Sequence, residues 1–230
     1  SLSIISELRR HGIEVIITDH HERSDNSAHP ASALINPKVN GSGYGFKDLA
    51  GVGVAFKLAQ AVSAMSLREE FDLVCLGTIA DVAPLCGENR IFAREGLKQI
   101  SCTRRLGLKA LLEVSGLKNK KAITSGFVSF ILGPRLNASG RVADAEVSLN
   151  LLLSKDESEA LALAKTVHEH NRHRQKIEEK ILREAEAIIN REINFKEHRV
   201  IVLAKEDWHQ GVLGIVASKL ADRFYRPTIL

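Results

Sequence analysis

Two long apolar runs, each closed by an acid, constrain this chain more than any other feature. The first, Ile13-Glu14-Val15-Ile16-Ile17-Thr18, ends in Asp19-His20-His21. The second, Leu73-Val74-Cys75-Leu76-Gly77, runs through Thr78-Ile79-Ala80 into Asp81. Runs without polar alternation read as strands covered on both faces. Amphipathic stretches flank them, with Leu2, Ile5 and Leu8 before the first and Ala55, Leu58, Ala59 and Val62 before the second. Helices alternating with buried strands predict an α/β fold, a parallel sheet flanked by helices. Strand ends in such a sheet open onto a ligand crevice, so His20 and Asp81 are expected to converge at one edge.

Asp and His at the end of a buried strand suit a divalent metal with open coordination positions. The same triplet also reads as a polar strand-end loop, and Asp81 alone as a helix cap or turn residue. Gly12 is placed to stop the first helix. The polar stretch from Glu22 to Asp48, with Asn36-Pro37 and Gly41-Ser42-Gly43, reads either as a substrate lid or as a plain surface loop. Gly51-Val52-Gly53 favours close helix packing over a phosphate cradle.

Residues 91–132 read as helical, with breaks at Gly107, Gly116 and Ser125-Gly126. A loop is expected next, Leu132-Gly133-Pro134-Arg135-Leu136-Asn137-Ala138-Ser139-Gly140-Arg141. Its arginines, amide and hydroxyl can hold phosphate oxygens, although a turn with solvated arginines has the same composition. From Asp156 to Asn190 the pattern is helical, one bent helix or two, with Ile177, Ile181, Ala185 and Ile188 on a stripe. Its basic run, His168, His170, Arg172, His173, Arg174 and Lys176, reads as a solvated face before it reads as a nucleic-acid contact. A strand from Arg199 to Ala204 and a helix carrying Val212, Ile215, Val216 and Leu220 open a second α/β unit.

The 230 residues are 44% hydrophobic and 26% charged, the balance of an ordinary globular protein. No apolar run approaches the roughly 20 residues of a membrane span. Three cysteines without metal-knuckle spacing predict reduced thiols and a cytoplasmic setting. The net charge of +4 permits a polyanionic partner without requiring one. Ser1-Leu2-Ser3-Ile4 lacks the basic-then-apolar order of a secretory signal. The chain starts inside an amphipathic pattern and stops inside a strand-like one, so it is read as an internal piece of a longer protein.

The stretches VIITDHHERSD, INPKVN, LAGVGVAFKL, LVCLGTIADVAPLCGENR, LGPRLNASGRV and DWHQGVLGIVASKLADRFYRPTIL together resemble the DHH phosphoesterase superfamily. Within it they are most similar to the bacterial RecJ single-stranded-DNA exonucleases. The resemblance implies a DHH catalytic domain over 1–154, a helical linker over 155–195 and the start of a DHH-associated domain over 196–230. It implies two Mn²⁺ or Mg²⁺ ions, with His20 and Asp81 as ligands and Asp19 in or against the metal shell. His21 would face the substrate phosphate or orient a ligand. Arg135, Asn137 and Arg141 would hold the DNA backbone.

The activity so implied is 5′→3′ exonuclease action on single-stranded DNA, releasing 5′-mononucleotides in DNA repair and recombination. The implied partners are single-stranded DNA, a single-strand-binding protein and a helicase, with no membrane and a monomeric state. The family's remaining metal-ligand motifs stand upstream of its Asp-His-His, so the chain by itself is expected to be inactive. Two alternatives stay open. One is a DHH phosphoesterase acting on short oligonucleotides or cyclic dinucleotides, and the other is a catalytically dead DHH scaffold.

Overall fold

The computed structural model describes residues 2–22 and 30–230. Part of the Glu22–Asp48 stretch and of the VIITDHHERSD motif therefore lies outside the described residues. The fold is α/β, mostly helical, with two small parallel sheets. The chain divides into two compact units, Ser1–Arg104 with Leu117–Gly133, and Arg105–Gly116 with Pro134–Leu230.

In the first unit, helix α1 (Leu2–Arg10) ends at Gly12, whose φ of +75° lets the chain reverse toward strand β1 (Ile16–Thr18). β1 pairs in parallel with β2 (Ala33–Ile35), with Ile17 beside Leu34. β2 falls inside the stretch read as loop. Three residues between turn formers carry no period of their own, and they are strand because β1 lies alongside. β1 is less covered than the sequence suggested, since Ile16 is 62% exposed. Helix α2 (Gly51–Ser63) follows, then a short 3₁₀ turn, α3 (Phe71–Ala80) and α4 (Gly87–Ser101).

The expected strand over Leu73–Gly77 is instead the middle of α3. An apolar run has no period to separate a buried strand from a buried helix, and α3 is buried on nearly every side. Close packing enforces this: a Cβ on Gly96 of α4 would stand 2.2 Å from both the Cys75 Cβ and the Phe71 carbonyl oxygen of α3. Phe56, Phe71 and Phe92 pack edge to face at 5.3–5.5 Å between centroids and close the core where α2, α3 and α4 meet.

Helical turns then follow without a break from Ser125 to Val142, as α6 (Ser125–Phe127), a wide π turn (Val128–Leu132) and α7 (Gly133–Val142). The Gly-Pro-Arg-Leu-Asn segment is therefore helix and not loop. Pro134 lacks an N–H, and its ring opposes a regular turn before it. The chain answers with the widened turn, in which Gly133 N–H donates to the Val128 carbonyl.

In the second unit, α5 (Leu106–Val114) and α8 (Glu146–Leu153) pack on α9 (Glu157–Glu192). α9 is one helix of 36 residues, capped by the Asp156 side chain accepting from Glu159 N–H. At 1.5 Å per residue it is about 54 Å long. Its buried positions step by four and three, Ala160, Ala164, Val167, Asn171, Arg174, Glu178, Ile181 and Ala185. The basic run is thus divided: Arg174 is in the buried stripe, while Arg172, His173 and Lys176 are exposed. Strand β3 (Ile201–Val202), α10 (Gln210–Phe224) and β4 (Thr228–Ile229) complete the unit, with β3 and β4 parallel. Trp208, Val212, Val216 and Leu220 meet Ile181, Ala185 and Ile189 in its core.

Candidate active site

Asp19 leaves β1 with its N–H still donating to the Ile35 carbonyl of β2 at 3.0 Å. Its side chain then folds back on the next two residues. Oδ1 accepts from the His20 N–H at 2.7 Å, the His21 N–H at 3.2 Å and the His21 Nδ1 at 2.7 Å. Partial burial pushes the Asp19 carboxyl up. The hydrogen bonds from the His21 ring and from the His21 and His20 amides outweigh it, and hold Asp19 below the usual carboxylate range. An ionised acceptor on Nδ1 fixes the His21 tautomer, so Nε2 is the nitrogen presented outward. Asn36 pins the same turn by donating from Nδ2 to the His21 carbonyl at 3.0 Å, while its Oδ1 accepts from Lys38 N–H.

Asp81 arrives from the other side as the residue that ends α3. Its Oδ2 stands 3.7 Å from His20 Nδ1. The expected convergence is therefore present, although a helix end and not a strand end delivers the acid. Val82 follows with φ +59°, a left-handed conformation for a β-branched residue that costs on the order of 1–3 kcal/mol. The His20 ring lies against the start of α2, where a Cβ on Gly51 would come within 3.2 Å of His20 Cδ2. Gly51 thus lets the imidazole approach the helix end.

At 3.7 Å the His20–Asp81 pair is too long for a hydrogen bond. Two donors about 2.1 Å from one ion are roughly 3.0 Å apart at right angles and about 4.2 Å when opposed, and 3.7 Å falls between. The pair borders a pocket of about 390 Å³ that also takes in His21, Glu22, Lys38 and Asp48. The carboxylate suits Mn²⁺ and Mg²⁺ alike, and the imidazole favours Mn²⁺, the softer of the two. Among the described residues no group of three His, Cys, Asp or Glu side chains comes together as a metal cluster.

Sequence reasoning missed two residues that hold this pocket. Asn36 is one, signalled only by Asn-Pro after a short apolar triplet. The other is Asn89 of α4, fully buried, whose Nδ2 donates to the Asp48 carbonyl at 2.6 Å and the Pro84 carbonyl at 3.0 Å. Both carbonyls belong to residues lining the pocket. Nothing in the local pattern around Asn89 marks it.

Arg135, Asn137 and Arg141 all lie on α7, in the second unit, whereas Asp19, His20, His21 and Asp81 lie in the first. At 100° per residue, Asn137 and Arg141 point roughly 200° and 240° around the helix from Arg135. Arg135 Nε donates to His168 Nδ1 of α9 at 3.2 Å, and burial lowers the Arg135 pKa. Ser139 is hydrogen-bonded to His170 Nδ1 at 3.1 Å. Arg141 Nη1 donates to the Gly211 carbonyl at 3.2 Å, and Asn137 is exposed.

Residues 1–78, which include the strand-end Asp19-His20-His21, match the DHH family, N-terminal domain. The chain is similar to that family over its first third. Within it, the chain is similar to bacterial RecJ. The single-stranded-DNA-specific exonuclease RecJ of Bacillus subtilis strain 168 is 46% identical over 219 residues, 95% of this chain and 27% of the relative. That of Haemophilus influenzae is 42% identical over 241 residues, 98% of this chain and 42% of the relative. A crystal structure of exonuclease RecJ bound to manganese matches with a TM-score of 0.84 at 36% identity, covering 99% of this chain and 57% of that one. The chain spans between about a quarter and two fifths of the length of these two curated relatives.

Proposed function

We propose that this chain belongs to a 5′→3′ exonuclease that takes single-stranded DNA and releases 5′-mononucleotides by hydrolysis with two Mn²⁺ or Mg²⁺ ions. One observation carries the reading: His20 and Asp81 face each other across 3.7 Å beside a polar pocket, with no hydrogen bond between them. The relatives above are single-stranded-DNA-specific exonucleases, and RecJ structures have been solved with Mn²⁺ and with Mg²⁺.

His20 Nδ1 and Asp81 Oδ2 would be the metal ligands on this chain, with Asp19 behind them. When bound, such ions supply Lewis acidity that acidifies water and neutralises charge growing on phosphate oxygens. Asp19 contributes by orientation. It locks the turn through two amides and one ring nitrogen, so His20 and His21 do not have to be ordered when substrate arrives. His21, with its side chain 77% exposed and Nε2 outward, is placed to contact a phosphate oxygen. Arg135 and Asn137 are the backbone-binding groups, and Arg141 joins them if it exchanges the Gly211 carbonyl for a phosphate. The setting is the cytoplasm, where Cys75, Cys86 and Cys102 stay unpaired.

The deciding experiment is Mn²⁺-dependent release of mononucleotides from 5′-labelled single-stranded and duplex DNA by the full-length protein and by its His20→Ala and Asp81→Ala variants. Release from single strands only, abolished in both variants with unchanged far-ultraviolet circular dichroism, is expected. Near-wild-type cleavage by either variant would refute the ligand assignment. A wild type that binds DNA and cuts none would make the protein a scaffold.

A further inference from the structure

Immediately beyond the His20–Asp81 pocket the surface turns apolar. The left-handed backbone at Val82 sends its side chain outward, 81% exposed. Leu85 is 41% exposed, and Phe130, in the widened turn before Pro134, is 82% exposed. These three side chains border a groove of about 260 Å³ whose lining includes Ile79, Ala83 and Ser129 and no charged residue. Scattered single apolar residues on a surface need no explanation. An aromatic ring and two aliphatic side chains gathered on one groove call for one.

The groove and the polar pocket share Val82 and Ala83 as a common wall. A strand held with a phosphate at His20 and Asp81 would therefore lay a neighbouring nucleotide over the groove. An uncharged lining rejects phosphate and suits the flat face of a base. The volume lies below the usual range of small-molecule pockets, room for a flat group and not for a peptide helix. The hydroxyls of Ser125 and Ser129 offer hydrogen bonds to a base edge without requiring one particular base.

We propose that Phe130, with Val82 and Leu85, is a stacking platform for the nucleobase beside the phosphate being cleaved. The inference rests on the exonuclease reading and adds to it a source of strand selectivity. In a duplex both faces of each base are covered by its neighbours and its edge is paired, so the platform engages only a base that is free to unstack.

The test is binding of a 3′-fluorescein oligodeoxythymidylate by the full-length protein without divalent ions, read by anisotropy, for wild type, Phe130→Ala and Phe130→Tyr. A parallel oligonucleotide series carries one abasic site at each of the first few 5′ positions. Phe130→Ala is expected to weaken binding roughly 5- to 150-fold, the range for losing one base–aromatic stack. Phe130→Tyr restores it. One abasic position should weaken wild type by a similar factor and leave Phe130→Ala no weaker still. Wild-type affinity in Phe130→Ala would overturn the platform and leave that surface to some other partner. An abasic penalty that persists in full in Phe130→Ala at every position would overturn it as well. Either result, with wild-type cleavage intact, leaves the exonuclease reading standing. A wild type that neither binds nor cuts DNA removes both.

Discussion

Replacing Glu178 with Leu should be among the most damaging single changes in the second unit, and restoring an apolar partner should repair it. Glu178 Oε2 accepts from Arg174 Nη1 at 2.6 Å, and the two side chains are only 9% and 11% exposed. Arg174 also donates from Nη2 to Asn171 Oδ1 at 3.0 Å, while its Nε is buried with no hydrogen-bond partner among the described residues. Lys219, the other cation paired with Glu178, is half exposed and can turn into water. Glu178→Leu therefore strands one charge, the Arg174 guanidinium, inside an apolar stripe. Breaking a buried pair this way costs about 3–5 kcal/mol. At about 5 °C per kcal/mol for a unit of this size, melting should fall by roughly 15–25 °C.

The double change Arg174→Leu/Glu178→Leu removes both charges and fills the stripe. It should return to wild-type stability or exceed it by about 1–4 kcal/mol. Differential scanning calorimetry of wild type, Arg174→Leu, Glu178→Leu and the double variant closes the cycle, and because two compact units can melt separately, each transition is followed by itself. A single variant within about 1 kcal/mol of wild type would refute the burial argument, since exposed pairs contribute only that much. A double variant as unstable as the single would show that the polar layer Asn171–Arg174–Glu178 sets the register of the stripe.

Three further outcomes follow from the geometry. Gly51→Ala places a methyl 3.2 Å from His20 Cδ2 and must displace the ring, so Mn²⁺ affinity measured by titration calorimetry should fall roughly 10- to 100-fold; unchanged affinity would mean that the contact does not position His20. Cys75 is fully buried, and burial with the nearby Asp72 pushes its thiol up to about 12. A thiol reagent at pH 8 should therefore label Cys86 and Cys102 and leave Cys75 untouched until the protein unfolds. Burial, then the charges of Arg135 and Arg172, lowers the His168 pKa below 6.5. Between the folded value and 6.5 the unfolded chain binds more protons, so stability falls on acidification through that window. Thermal melts between pH 7 and pH 5 should show a shallower fall for His168→Gln, and an equal slope would remove His168 from the account.

The second apolar run was legible as buried and as ending in an acid near His20, but not as helix. Leu73–Gly77 has no polar alternation in either period, and Gly96 and Phe92 of α4 decide its conformation from about 15 or more residues along the chain. Convergence of Asp81 on His20 was foreseen on the wrong geometry, because a helix end and a strand end both leave a side chain at the rim of the element. Gly133-Pro134 read as a loop because proline opposes a helix, and only the widened turn that precedes it shows how the helix continues. The helical extent of α9 was legible because its 36 residues contain no proline and no glycine, whereas one helix and two were equally compatible with the pattern. The burial of Arg174 was hidden, since a basic run gives no sign of which of its members faces inward.

The alternation of the two units along the chain has a consequence for synthesis. Residues 105–116 belong with 134–230, yet they are made before the first unit receives its last segment, 117–133. Leu108, Leu111 and Leu112 of α5 must therefore wait for α9 to cover them. About 50 residues separate α5 from Val167, so at 5–20 residues per second the greasy face of α5 stays open for roughly 3–10 s on the ribosome. A nascent chain stalled in that interval is a natural client for a chaperone. The same interleaving dictates how the first unit must be cut out for separate study. Truncation after Gly133 would leave α5 as an uncovered helix, whereas joining Arg104 directly to Leu117 removes it.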